Sequence, residues 1–212
     1  MGISYSPKDD KFFFEKDKLQ KISEAPIESK RQLLATIPRI FDPLHIVSPL
    51  ILRGRLLFSE CCSNDLNLGW DDPLNDTLLK GIKEWQEIIP LCGTVEINRW
   101  IPFPENRQNC FILTAGDGAE RAFGARSMIY IPLEELPEGA PHGNVHVGGK
   151  LVCRPNTKSN FASFYALSRM KIVGTNQKNW STQKSELKAA LLAAELTSYL
   201  SKTFEIPLKT VQ

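Results

Sequence analysis

Three features of the 212-residue sequence predict an α+β fold. Up to about Leu91, apolar residues recur three and four positions apart, as they do along helices. After Leu91, short apolar runs bounded by glycine and proline are typical of strands. Residues 181–203 then form an Ala- and Leu-rich segment that predicts a long helix able to pack closely on a sheet. We therefore expect a helical region over residues 1–91 and a mixed-sheet region over residues 92–212.

Composition excludes several classes of protein. Hydrophobic residues make up 42% and charged residues 24% of the chain, as in ordinary globular proteins. No apolar run approaches the ~20 residues of a membrane span, and the charged N-terminus has no signal-peptide core. The five cysteines show no metal-ligand spacing. We therefore expect free thiols, no membrane partner and a reducing compartment, cytoplasmic or nuclear.

Charge is unevenly distributed along the chain. Acidic residues outnumber basic ones between residues 63 and 138, and the reverse holds from residue 139 onward. Basic side chains gathered in one segment suit a polyanionic partner, although a solvated surface has the same composition.

The sequence predicts a strand hairpin followed by helices in the N-terminal region. Residues 3–6 and 12–14 predict the hairpin, and residues 16–29 predict a polar linker. A first helix is expected over residues 29–41, with a kink or early stop at Pro38. Ser48-Pro49 starts a second helix that ends near Cys62, and Asp72-Pro73 starts a third that Pro90 closes.

The sequence predicts mainly strands in the region over residues 92–212, before its long helix. Strands are expected at residues 95–101, 111–113, 128–133, 151–153 and 161–167, and residues 132–149 are expected to form an exposed loop.

Asp117 is the first candidate site residue. It follows the apolar run 111–113 and is flanked by Gly116 and Gly118. An acid at the end of a buried strand needs a hydrogen bond, an opposite charge or a cation, and the glycines would let a ligand approach the backbone. The alternative is that Asp117 sits in the Asp-Gly turn of a hairpin.

Glu186, near the start of the predicted long helix, is the second candidate. If that helix packs beneath the strand before Asp117, the two carboxylates could share Mg²⁺, a cation that prefers oxygen ligands. Paired Mg²⁺ ions support phosphodiester cleavage. The helix dipole favours an acid at this position in any case.

Four stretches resemble one known family, the BEL/Pao-type retrotransposon polyproteins. The runs SKRQLL (29–34), IFDPL (40–44) and SP (48–49) resemble the segment after the reverse-transcriptase palm, and LGWDDPL (68–74) resembles the connection that follows. The run DGAERAFGA (117–125) resembles the first strand region of the ribonuclease H domain. SELKAALL (185–192) resembles that domain's first helix. These motifs occur in the family's order across most of the chain.

The resemblance implies a fold, an activity and a set of site residues. It implies a thumb- or connection-like helical part, then a ribonuclease H-like mixed sheet with a packed helix. It implies Mg²⁺-dependent cleavage of RNA in RNA–DNA hybrids, with Asp117 and Glu186 as metal ligands. Four basic residues would contact phosphates without reading sequence, unless they form only a solvated helix face; these are Lys30, Arg31, Arg53 and Arg55.

Departures from the family pattern lower the expected activity. The family's third carboxylate and the polymerase aspartates have no counterpart, so we expect a truncated fragment of a Pol polyprotein with an incomplete two-metal site. His45 stands where the family usually has Gly, and Gly118 replaces a small Ala.

Some catalogues give the family a peptidase name, but Asp117-Gly-Ala lacks the Asp-Thr/Ser-Gly motif of aspartic peptidases. Two hypotheses follow: a nuclease that needs completion by another chain or the rest of the polyprotein, and a catalytically dead remnant that binds nucleic acid or protein.

Overall fold

The computed structural model describes residues 2–152, 160–173 and 180–208, which form an α+β structure. The helices in these residues are α1 (Lys16–Ser23), α2 (Lys30–Thr36), α3 (Ser48–Cys61), α4 (Asp76–Ile88) and α5 (Thr182–Phe204). The strands are β1 (Ile3–Ser6), β2 (Lys11–Phe14), β3 (Val95–Asn98), β4 (Phe111–Gly118), β5 (Ala122–Pro132), β6 (Val145–Val147), β7 (Lys150–Leu151) and β8 (Phe161–Ile172). None of the described helices has the length and hydrophobicity needed to cross a membrane.

The strands form two separate sheets. The first sheet has the order β1-β2-β3-β6-β7, and the second has the order β4-β5-β8. Neighbouring strands are antiparallel in both. Because β2 pairs with β3, the first sheet joins the N-terminal hairpin to strands that follow residue 91. The boundary between residues 91 and 92 stays a prediction, and this sheet extends across it.

The N-terminal helices enclose the largest hydrophobic core. Leu33 of α2, Leu57 of α3 and Trp85 of α4 are at most 2% exposed. A Cβ at Gly54 would lie 2.7 Å from the Trp85 ring, so glycine lets α3 and α4 approach closely. The Trp85 indole Nε1 donates to the Leu50 carbonyl at 2.9 Å, which satisfies the polar end of a buried ring.

Several predicted elements are confirmed. The hairpin forms from β1 and β2. Helix α3 begins at Ser48, but the expected serine N-cap is wrong: Val47 is the cap, with no side-chain hydrogen bond. Helix α2 gives way to a 3₁₀ turn at residues 37–39, where Pro38 cannot continue the α-helical hydrogen bonds. The long C-terminal helix runs over residues 182–204, and its Ser181 cap accepts from the Lys184 amide.

The predicted linker over residues 16–29 is wrong in its first half, which forms helix α1. Leu19 and Ile22, three positions apart, are buried and anchor this short helix. The predicted start of the third helix is also wrong. Asn75 is the N-cap of α4. Asp72 instead accepts a hydrogen bond from the Gly69 amide in the preceding loop.

The predicted exposed loop over residues 132–149 contains a 3₁₀ turn and strand β6. Val145 of β6 is buried because it pairs with Ile97 in the first sheet. Of the strand predicted at residues 151–153, Lys150–Leu151 is observed, and Cys153 lies outside the described residues. Strand β8 continues five residues beyond its predicted end at Leu167, to Ile172.

Tyr165 of β8 is the junction between the two sheets and the helical region. Its backbone N–H donates to Asn144 Oδ1, and its carbonyl accepts from Asn144 Nδ2, at 2.7 and 3.0 Å. Its hydroxyl donates to the carbonyls of Leu44 and His45. Ser168 Oγ also donates to the His45 carbonyl. These bonds fix the segment before α3 on the second sheet.

The adjacent cysteines Cys61 and Cys62 provide a test of the helical core. Cys61 is fully buried, and burial raises the pKa of its thiol to about 11, whereas Cys62 is exposed. Because the thiolate is the reactive form, iodoacetamide at pH 8 should modify Cys62 and spare Cys61, as measured by peptide mass spectrometry. Both should react in guanidinium chloride. Equal rates in the native protein would contradict the packing of α3.

Candidate functional site

Asp117 lies inside β4, next to its last residue. It pairs with Gly124 of β5, and the hairpin turn comes later, where the Ala119 amide donates to the Ala122 carbonyl at 2.8 Å. The alternative placing Asp117 in the Asp-Gly turn is therefore wrong. The Asp117 side chain is exposed, as are the neighbouring positions Ala115 and Gly116.

Helix α5 crosses the end of β4 at backbone contact distance. A Cβ at Gly118 would lie 2.3 Å from the Ser185 carbonyl carbon and 2.4 Å from the Glu186 nitrogen. A Cβ at Gly116 would lie 2.8 Å from the Ala189 carbonyl oxygen. Only glycine at both positions permits this approach. The structure thus brings the backbones around the two predicted ligands, Asp117 and Glu186, into contact.

Asp117 and helix α5 lie on opposite sides of the sheet. Side chains alternate along a strand, so Asp117 faces away from α5 while the positions of Gly116 and Gly118 face it. Asp117 accordingly lines a cavity of about 380 Å³ on the opposite face, together with Leu52 and Met170. Within the described residues β4 has no strand on its outer side. A shared cation would therefore have to sit around this outer edge.

The start of α5 is held by an aromatic contact. The Trp180 indole stacks on Phe123 of β5 with the ring centroids 6.4 Å apart, and its Nε1 donates to Ser185 Oγ at 2.6 Å. Ser185 is fully buried. Glu186, the next residue, is exposed in the second turn of the helix. The position of Glu186 along β4 therefore depends on a buried neighbour, and not on the glutamate itself.

A hydroxyl cluster fixes the helix further along the same strand. Thr197 of α5 donates to Thr114 Oγ1 at 2.7 Å, and Thr114 is hydrogen-bonded to Ser127 Oγ at 2.9 Å. Sequence reasoning missed these residues because no pattern marks them. Only the register of β4 with β5 places Thr114 opposite Ser127.

The four predicted basic contacts fall into two groups. Lys30 donates to the Leu68 carbonyl, and Arg31 forms a two-pronged pair with Asp71 at 2.7 and 3.0 Å. Both cations also lie over the Trp70 ring, at 5.1 and 5.7 Å from its centroid. These contacts hold the loop before α4 against α2. Their role in nucleic-acid binding stays a prediction.

Arg53 and Arg55 form the second group, on helix α3. Both are exposed, and neither makes an ion pair in the part of the chain that the structure describes. Leu52 beside them lines the Asp117 cavity. Of the four predicted contacts, these two are therefore the exposed cations that no acidic side chain pairs with in the described residues.

The antiparallel β4-β5-β8 sheet with α5 packed against β4 places the chain in the class of α+β, ribonuclease H-like proteins. A family model described as "Pao retrotransposon-like RNaseH-like domain" matches residues 29–145, more than half of the chain, and the chain belongs to this family. The match includes Asp117 and all four basic residues and ends before Glu186. A comparison with curated proteins returned no relative. Membership of the ribonuclease H-like class suggests an interaction with nucleic acid, without specifying which one.

Replacing Gly118 by Ala tests the contact between β4 and α5. The added Cβ would meet backbone atoms, which cannot rotate away, so we expect a loss of about 1–3 kcal/mol in the free energy of unfolding. Gly81→Ala in α4 is the matched control. There the Cβ would meet the end of a side chain, Leu57 Cδ2 at 2.9 Å, and no backbone atom outside its own helix, and alanine favours the helix by about 1 kcal/mol. Urea unfolding measures both, and equal stability of the two variants would contradict the contact.

Proposed function

We propose that this chain acts in Mg²⁺-dependent cleavage of RNA in RNA–DNA hybrids, as the ribonuclease H-like region of a retrotransposon Pol polyprotein. Family membership supports the class. The observation that supports the site is the contact of Gly118 with the Ser185–Glu186 peptide. This contact brings the two backbones together, but Asp117 faces away from α5, so the two side chains would have to reach a shared cation around the outer edge of β4.

The residues present suit Mg²⁺ in part. Asp117 and Glu186 offer carboxylate oxygens, the ligands that this hard cation prefers. The exposed residues at the end of β4 leave room for water and a substrate phosphate to complete an octahedral shell. In the described ranges no group of three or more His, Cys, Asp or Glu residues comes together. We therefore expect weak cleavage by this chain alone and stronger cleavage when another polyprotein segment supplies a further carboxylate.

Each part of the site has a distinct role in this proposal. Bound Mg²⁺ would activate a water molecule and stabilise the leaving oxygen. Asp117 and Glu186 would hold the cation at the outer edge of β4. Arg53 and Arg55 would contact the phosphate backbone beside the site without reading its sequence.

Cleavage of a labelled RNA–DNA hybrid in Mg²⁺ tests the two carboxylates. Asp117→Asn and Glu186→Gln should each lower the rate by more than the ~10–100-fold typical of changes outside the ligand shell. Glu120→Gln is the matched control, since Glu120 is an exposed acid in the turn between β4 and β5. Equal cleavage by the wild-type protein and the three variants would show that Asp117 and Glu186 are not part of the site.

A second candidate function is binding without cleavage, which the absence of a larger ligand group in the described residues favours. In that case the hybrid would bind with a strong salt dependence while the RNA stays intact in Mg²⁺. The same cleavage assay, paired with fluorescence anisotropy of the labelled hybrid, separates the two candidates.

The basic residues are tested by the salt dependence of hybrid binding. The logarithm of the binding constant falls linearly with the logarithm of the salt concentration, and each lost phosphate contact makes this slope shallower by ~0.9 on duplex DNA. The double variant Arg53→Gln/Arg55→Gln should therefore reduce the slope by about 1–2. Arg31→Gln should leave the slope unchanged, since the Arg31 guanidinium is already paired with Asp71, and should change stability little because this pair is exposed. A shallower slope in Arg31→Gln, with an unchanged slope in the double variant, would assign the nucleic-acid contact to α2.

A further inference from the structure

The outer edge of strand β4 is open and carries none of the features that protect exposed strand edges. Within the described residues no strand pairs with β4 on that side. The strand has the sequence FILTAGDG, without lysine, arginine or proline, and its pairing with β5 runs without a bulge. Native proteins blunt exposed edges with such residues or with bulges, because unpaired backbone groups recruit another strand. An unprotected edge therefore indicates a strand partner.

The pairing with β5 determines which backbone groups of β4 face that edge. Because the Ala119 amide donates to the Ala122 carbonyl, the odd-numbered residues of β4 direct their N–H and C=O groups toward β5, and the even-numbered residues direct theirs outward. Gly118 is buried under α5. The other three residues with outward groups are not buried, and none of these groups has a hydrogen-bond partner among the described residues; they are Ile112, Thr114 and Gly116.

The side chains of β4 are arranged by size along the strand. The first three residues are large and apolar, whereas the last four have short side chains or none. In an antiparallel pair of two copies with the two-fold axis at Thr114, Ile112 of one copy lies opposite Gly116 of the other. Leu113 lies opposite Ala115 in the same register. Directly opposed residues share a face of the sheet, so each large side chain meets a small one. The edge is therefore complementary to itself.

The charge on β4 is compatible with this register. Asp117 of one copy would lie opposite Phe111 of the other, and the two Asp117 carboxylates would be roughly 20 Å apart along the strands. Like charges directly opposite each other would destabilise the pair, and this register avoids them. A two-fold axis one position further along, at Ala115, would require the outward groups of Gly118, which α5 covers.

Helix α5 presents a suitable surface beside the open edge. Leu196 packs with Ala125 of β5, and Thr197 bonds to β4, so the next face of the helix points past the edge. Ala190 and Ala194 lie on that face and are exposed. Small side chains there let two helices approach at the roughly 8–10 Å of ordinary helix packing. Since α5 crosses both β4 and β5, its axis is set back from the edge and leaves room for a second helix.

We propose that two copies of this chain pair along β4 into a continuous six-stranded sheet, with the two α5 helices side by side on one face. Residues 112, 114 and 116 of the two copies would exchange about six backbone hydrogen bonds. A small interface of this kind predicts a weak dimer, with a Kd of roughly 10–100 µM. The pairing does not depend on the proposed nuclease function. It closes the outer edge around which Asp117 and Glu186 would share a cation, so that site would belong to the monomer.

Sedimentation equilibrium combined with amide hydrogen exchange tests the proposal. Over about 5–500 µM the protein should show a reversible equilibrium between monomer and dimer. As the concentration rises, exchange should slow at the outward amides of Ile112, Thr114 and Gly116. The amides of Leu113 and Ala115, which face β5, should be protected at every concentration and serve as the internal control.

Three outcomes of these measurements would overturn the proposal. The first is a monomer over the whole range with outward amides that exchange rapidly. The second is a dimer whose formation leaves the exchange of the outward amides unchanged, which would place the interface elsewhere. The third is protection of the outward amides in a monomer, which would show that another part of the chain covers the edge.

A backbone variant tests the strand pairing. Ile112→Pro removes an outward N–H and leaves the pairing with β5 intact, because proline is tolerated where the N–H faces away from the sheet. Ile112→Ala is the matched control, since it loses the same side chain and keeps the N–H. The proline variant should dimerise about tenfold more weakly than the alanine variant, for one lost hydrogen bond in each copy.

A helix variant tests the contact between the two copies of α5. Ala194→Trp adds bulk to an exposed residue on the face that points past the edge, so it should fold normally and weaken dimerisation at least about tenfold. Glu195→Trp is the control, because residue 195 is also exposed and lies about 100° around the helix from residue 194. Its Kd should equal that of the wild-type protein. Unchanged dimerisation in both Ile112→Pro and Ala194→Trp, with circular dichroism confirming their folds, would refute the interface.

Discussion

The close approach of α5 to β4 is the contact on which the candidate site depends. Two glycines on one face of β4 admit the helix backbone at distances that a side chain would forbid. The contact is reinforced on both sides, by the buried Ser185 and its Trp180 partner at the helix start and by Thr197 with Thr114 further along. A helix held at three successive points along a strand cannot rotate or slide, because each shift would break a hydrogen bond or create a backbone clash. The exposed acids therefore sit on a framework that they do not themselves stabilise.

A second set of contacts determines which surface faces Asp117. The Asn144 side chain bonds to both the N–H and the carbonyl of Tyr165, and so acts like one residue of a neighbouring strand. The Tyr165 hydroxyl then holds the carbonyls that precede α3. As a result α3 lies against β8, and Leu52 becomes part of the wall of the Asp117 cavity. The helical region is therefore part of the site's surroundings rather than a separate appendage.

The sequence predicted those elements whose signals are local. Helix α5 lies within one residue of its predicted bounds, because Ala and Leu content and a Ser cap act over short distances. Strand β6 was missed because its pairing with β3 joins residues about fifty positions apart in a segment rich in Gly and Pro. Helix α1 was missed because only Leu19 and Ile22 mark its buried side. For the site, sequence reasoning selected Asp117 and Glu186, but the face that Asp117 occupies follows from the pairing register with Gly124, which no local pattern encodes.

The backbones at His45 and Gly118 show how two local conformations shape the surroundings of the candidate site. Residue 45 has a left-handed backbone, which glycine adopts readily, and histidine is among the side chains that tolerate this conformation. Hydroxyl groups of Tyr165 and Ser168 hold the His45 carbonyl in place. Residue 118 has no side chain, and the helix lies closer to it than a Cβ would allow. Since α5 begins next to Gly118, the absence of a Cβ there acts directly on the distance between the backbone of β4 and Glu186. The geometry of the candidate cation site in this chain is therefore set by a glycine that itself carries no ligand.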